Sequence, residues 1–148
     1  MIKEYQALIS DETKVNAILA NTSAYLNENI NQLNWVGFYV NEDNALHLHA
    51  FQGKVACTVI DFNRGVCGYA ARNRKVTNVP NVHEFDDHIA CDSASESELV
   101  VPIIVNNELF GVLDIDSPIL NRFDKELETT IVEIVKVLEN KLTQLFSK

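Results

Sequence analysis

The sequence predicts an α+β fold: a mostly antiparallel sheet, N- and C-terminal helices on one face, and a ligand pocket on the other. Three observations carry this. Residues 34–51 and 98–116 each read as two strands joined by a short Asn-rich turn. A long run near the C-terminus repeats apolar residues at spacings of three and four, the helical period. Between the two strand pairs, residues 53–97 break both periods and hold all three cysteines, Cys57, Cys67 and Cys91. An order of helix, hairpin, irregular middle, hairpin, helix places the helices mainly on one side of a sheet.

Taken in order, residues from about Lys3 to Ile30 predict helix, with Val15, Ile18, Leu19, Leu26 and Ile30 near helical spacing. Asp11 is a candidate cap for the longer part, after a short turn at 5–9. In the strand 34–41, Trp35, Gly37 and Tyr39 share one face, and Val36, Phe38 and Val40 share the other. The second face is core. The first sets two amphipathic aromatics around a glycine, which reads either as sheet packing with a close contact at Gly37 or as an aromatic wall for a small ligand. The partner strand 45–51 carries His47 and His49 on one face. No third ligand follows at a metal-site spacing, so a solvated face is the expectation.

The middle region is predicted as a strand or its approach over 53–62, containing Cys57, then a loop Asn63-Arg-Gly-Val-Cys-Gly68 that enters a helix. Cys67 then lies near a helix N-terminus. There it is either a thiolate favoured by the free amides or a small buried residue at a tight turn. A short strand at 76–79 ends at Pro80. Residues 81–97 are an aperiodic polar loop, a pattern that is usually functional or mobile, and Cys91 lies within it. The apolar run 98–105 suggests a central strand, although Pro102 argues for an edge or a bulge. In its partner, 108–116, Leu113 and Ile115 face one way and Val112, Asp114 and Asp116 the other. Two carboxylates on one face are inert in solvent. In a pocket they offer a cation site and a proton donor. The last helix, 123–146, is capped by Asp124 and carries Leu127, Ile131, Ile134, Leu138, Leu142 and Leu145 in one stripe.

At 148 residues the chain is expected to form one domain with a real core. A net charge of −9 and a pI near 4.8 argue against nucleic acid, which requires a basic footprint. No apolar run is long enough to span a membrane, and the N-terminus does not read as a signal peptide. The expected compartment is the cytoplasm, where three cysteines read as free, catalytic or metal-binding thiols rather than structural disulfides.

The element order is similar to that of a GAF domain. More specifically, the motifs NWVGFY, GKVACT, RGVCG, HIACDSASESE and GVLDIDS together resemble the free methionine-R-sulfoxide reductases of that family, over about Trp35 to Phe123. The resemblance implies an oxidoreductase acting on free methionine-R-sulfoxide, with no cofactor or metal and with thioredoxin as reductant. It implies Cys91 as the attacking thiol, Cys57 and Cys67 as candidate resolving thiols, and Trp35, Tyr39, Glu98, Asp114 and Asp116 as pocket residues.

The implied chemistry fits these residues. Sulfoxide reduction needs a thiolate at sulfur and an acid at oxygen, and the resulting sulfenic acid condenses with a second thiol to a disulfide. Carboxylates would bind the amino-acid ammonium, with Trp35 as a hydrophobic or cation–π partner and the Ser93–Ser97 loop as a candidate for the substrate carboxylate. Two other classes compete: a non-catalytic GAF-type ligand sensor, and a metal site built from Cys57, Cys67, Cys91, His83 or His88. The second lacks CxxC spacing. The apolar stripes of the terminal helices suggest a possible homodimer.

Overall fold

The computed structural model describes residues 1–86 and 93–147. The chain runs α1 (Ile2–Ile9), α2 (Val15–Asn29), β1 (Trp35–Glu42), β2 (Ala45–Gly53), β3 (Val59–Asp61), α3 (Gly65–Asn73), β4 (Thr77–Val79), β5 (Ser97–Val105), β6 (Glu108–Ser117) and α4 (Lys125–Phe146). A single 3-10 turn, Val82–Glu84, follows β4. The strands form one six-stranded sheet in the order β3-β2-β1-β6-β5-β4, antiparallel at each neighbouring pair.

The two predicted hairpins are the centre of this sheet. Asp43 and Asn44 have φ of 55° and 62°, and Asn106 and Asn107 have φ of 54° and 65°. Left-handed conformations at both central positions twist a two-residue turn to match its strands, and Asn and Asp tolerate them. The β1–β6 pairing then joins the hairpins side by side, with Trp35 opposite Asp116 and Gly37 opposite Asp114.

Strand alternation divides the interior in two. Val36, Phe38, Leu113 and Ile115 point to a core closed by α1, α2 and α4. The α4 stripe is spent within the chain: Ile131, Ile134, Leu138 and Leu142 are buried there. Asp124 caps α4 as expected, accepting from Leu127 N at 2.9 Å. On the other face α3 packs against β5 and β6, beneath a second cluster that contains Trp35, Tyr39, Val100 and Val112.

Three expectations are refined. The first helical stretch is two helices, and Asp11 caps neither. Glu12 Oε1 instead accepts from the amides of Thr13 and Lys14 at 3.0 and 3.1 Å, which ties the turn that separates them. Cys57 lies in the connection between β2 and β3, outside any strand. Pro102 satisfies both readings offered for it. β4 pairs only with Glu98–Val100, so β5 is an edge beyond that point, and the β5–β6 register shifts at Ile103/Ile104. The Ile104 amide freed there donates to Glu139 Oε2 of α4 at 2.7 Å.

Candidate active site

Cross-strand register builds the site in rows. Glu98, Asp116 and Trp35 form one row across β5, β6 and β1, and Val100, Asp114 and Gly37 form the next. Partners in a row share a face, so three carboxylates and Trp35 converge beneath α3. Both aspartates are buried, at 6% and 8% exposure for Asp114 and Asp116, which removes the solvent-facing reading of this pair.

The aromatic wall is larger than the sequence suggests. A regular count from the Asp43-Asn44 turn would set Phe51 opposite Val36, on the core face. The register instead shifts between Gly37 and Tyr39, so Phe51 faces Gly37. One extra residue moves a side chain to the other face of a sheet. Phe51 then stacks on Trp35 at 5.2 Å, and Trp35 stacks on Tyr39 at 5.8 Å. A Cβ at Gly37 would collide with Phe51 Cβ, so glycine is what admits the ring. Trp35 and Tyr39 thus pack on each other across Gly37, with no gap between the rings. Each ring also holds the backbone near Cys57: Trp35 Nε1 donates to Lys54 O and the Tyr39 hydroxyl to Cys57 O, both at 3.1 Å.

Cys67 is the third residue of α3, as the loop-to-helix reading predicted, and Gly68 beside it allows the helix to approach the Asp61 carbonyl within 2.7 Å of where a Cβ would sit. Of the two readings offered for Cys67, the small buried residue agrees with the structure and the activated thiolate does not. The thiol is buried, and burial followed by the charges of Asp114, Glu98 and Asp116 pushes its pKa well up. It is a free thiol that donates a hydrogen bond to Asp114. Proximity to a helix N-terminus is outweighed by desolvation and three acids.

The acids are tuned unequally. Burial raises Glu98 well above its ordinary range, and the charges of Asp114 and Asp116 push it further. Hydrogen bonds to both aspartates favour its protonated form. Asp114 is also raised by burial, but hydrogen bonds from Glu98, Cys67 and Asp116 oppose the shift. Glu98 is thus the member that retains a proton, and Asp114 is nearer to a carboxylate. Among the described residues, Asp114 Oδ1 is buried without a hydrogen-bond partner, an atom suited to receive a ligand's donor.

The remaining predicted residues are placed as follows. Cys57 is half-buried and disulfide-bonded. Cys91 and His88 lie outside the described residues. In the Ser93–Ser97 stretch, Ser97 begins β5 and donates to Ile119 O at 2.6 Å, while Ser95 accepts from Asn34 Nδ2 at 3.0 Å. These hydroxyls brace the loop base. His83 Nε2 lies 2.6 Å from Glu96 Oε2. The one metal-like grouping found among the described residues is Cys67, Glu98 and Asp114, with ligand atoms within 4.8 Å of one another. A cation there would have to displace the protons that burial holds on Cys67 and Glu98. Sequence reasoning missed Phe51 and Asn34. The position of Phe51 required knowing the bulge, and Asn34 had no pattern signal.

A six-stranded antiparallel sheet with three helices on one face and a single helix over a buried acid cluster on the other is the GAF architecture, and residues 15–142 match the GAF domain family. The chain is 49% identical over 140 residues to free methionine-R-sulfoxide reductase of Escherichia coli, covering 95% of this chain and 85% of that protein. A solved structure of fRMsr of Staphylococcus aureus in complex with substrate superposes with a TM-score of 0.91 at 48% identity, covering 95% of this chain and 92% of that one. The free methionine-R-sulfoxide reductase of Neisseria meningitidis, also in complex with its substrate, gives a TM-score of 0.92 at 40% identity over 97% and 86%. The chain belongs to the free methionine-R-sulfoxide reductase family of GAF domains.

Proposed function

We propose that this protein reduces free L-methionine (R)-S-oxide to L-methionine, with Cys91 as the attacking thiol. The observation that carries the reading is the buried Glu98–Asp116–Asp114 cluster set against Trp35, in a chain this similar to reductases named for that activity.

In this reading the substrate ammonium sits among Asp114 and Asp116, with the Trp35 face beside it. A peptide-bonded methionine lacks the ammonium and would bring no donor to the buried Asp114 Oδ1, which excludes it. The Cys91 thiolate attacks the sulfoxide sulfur while Glu98 gives its proton to the oxygen. The protonated oxygen passes from the substrate sulfur to Cys91 Sγ as a hydroxyl, so that the substrate S–O bond breaks as the Sγ–O bond forms; methionine leaves, and Cys91 is left as a sulfenic acid. The Cys57 thiol then attacks Cys91 Sγ and expels water, forming the disulfide. In sum, one sulfoxide and two thiols give methionine, water and a disulfide. Cys57 is supported as the resolving thiol by its disulfide-bonded state, and Cys67 is disfavoured by its burial and its raised pKa. Thioredoxin returns the disulfide to two thiols by exchange, in the cytoplasm.

The test is turnover of each free methionine sulfoxide epimer with dithiothreitol, for wild type and each Cys→Ser variant. The reading expects activity on the R epimer alone and none in Cys91→Ser. A non-catalytic sensor would instead bind the sulfoxide without turnover, and would still bind it with all three thiols replaced.

A further inference from the structure

We propose that the segment Lys54–Val59 is the docking surface for the protein dithiol that regenerates the enzyme, and that its nucleophilic thiolate attacks Cys57 Sγ. This rests on the reductase reading above and extends it to the partner's footprint.

The first support is where apolar surface is exposed. Among the described residues, Val55 at 88% and Val59 at 55% are the two most exposed large hydrophobic side chains in the protein. Both lie two positions from Cys57, one on each side. Isolated exposed valines need no explanation, but the two extremes flanking a disulfide-bonded cysteine form a patch centred on a reducible bond. The second support is rigidity. Trp35 Nε1 holds Lys54 O at 3.1 Å, Tyr39 Oη holds Cys57 O at 3.1 Å, and Leu48 N donates to Thr58 O at 2.9 Å. Three hydrogen bonds within five residues fix the backbone that presents Val55. A preorganised surface loses little entropy when a partner covers it. The third support is position: β3, which begins at Val59, is the outer strand of the sheet, and Val59 itself is exposed. Cys67, by contrast, is 4% exposed on the buried face of α3 and out of a partner's reach.

The chemistry requires a partner of this kind. A thiolate of the dithiol attacks Cys57 Sγ, and the Cys57–Cys91 bond breaks. Cys91 leaves as a thiolate on the substrate side, ready for the next sulfoxide. The partner's second thiol then attacks its own sulfur in the mixed disulfide, and Cys57 departs and takes up a proton. Two electrons pass from the dithiol to the disulfide.

The experiment compares wild type with Val55→Asp and with Val55→Ser/Val59→Ser, each driven either by dithiothreitol or by a thioredoxin kept reduced by its reductase and NADPH. Loss of a central apolar contact should lower kcat/KM for thioredoxin by about ten-fold. The dithiothreitol-driven rate on free methionine-R-sulfoxide should stay within about two-fold of wild type, because a small thiol needs no docking surface. A thioredoxin lacking its second cysteine should be trapped on Cys57, as read by peptide mass mapping. Equal losses with both reductants, no loss with thioredoxin, or trapping on Cys91 would overturn the inference. Wild type inactive with dithiothreitol would overturn the reductase reading beneath it.

Discussion

The two faces of the sheet share their strands but solve different problems. On the helix side, Val36, Phe38, Leu113 and Ile115 meet α1, α2 and α4 in an apolar core. Its buried polar groups are satisfied simply: Tyr5 and Thr22 bond each other at 2.7 Å, and Ser23 donates to Leu19 O at 2.9 Å. On the α3 side the same strands bury Glu98, Asp114 and Asp116. There burial raises the proton affinity of Glu98 and Asp114. One face stabilises the fold. The other gives up stability to hold acids in a buried setting.

Substitutions on opposite faces should therefore fail in different ways. The largest effect is expected from Cys91→Ser, which should lower turnover on free methionine-R-sulfoxide by about 1,000-fold or more while leaving thermal stability unchanged. Next, Glu98→Gln should lower kcat by about 100-fold, because the proton for the leaving oxygen is gone. Its effect on stability should have the opposite sign. Glu98 titrates higher in the folded than in the unfolded state, so its burial costs nothing at a pH where both states are protonated. As pH rises through the folded value, the unfolded state has already released its proton and stability falls. Thermal melts should thus show Glu98→Gln more stable than wild type by roughly 3 °C at pH 8, with the gap closing towards pH 4. On the helix face, Leu138→Ala should cost about 3 kcal/mol in denaturant unfolding and leave kcat/KM unchanged below the melting transition. The smallest effect belongs to Cys67→Ser. A buried protonated thiol is not required for turnover, so its dithiothreitol-driven rate should remain within about three-fold of wild type.

The helix face was the more legible of the two. Alternation in β1 and β6 assigned every core residue to its side, and the Asp124 cap and the α4 stripe were readable as spacing alone. The acid pair was also visible, because period two is local. What stayed hidden depended on tertiary register or on desolvation. Phe51 reaches the site only through the bulge opposite Gly37, and no pattern distinguishes that from a regular hairpin. Cys67 was placed correctly at the head of α3, yet its protonation is decided by three acids from β5 and β6 that sequence position does not bring near it. Asp11 has the residue type of a cap, but the chain uses Glu12 to close that turn.

The central claim is that the thiols trade the sulfoxide oxygen for a Cys57–Cys91 bond. It is tested most directly by mixing fully reduced protein with one equivalent of free L-methionine (R)-S-oxide, without external reductant, and mapping disulfides as methionine appears. The account predicts stoichiometric methionine, a Cys57–Cys91 cross-link and Cys67 still free. Methionine formed with Cys67 in the cross-link, or no methionine at all, would contradict it.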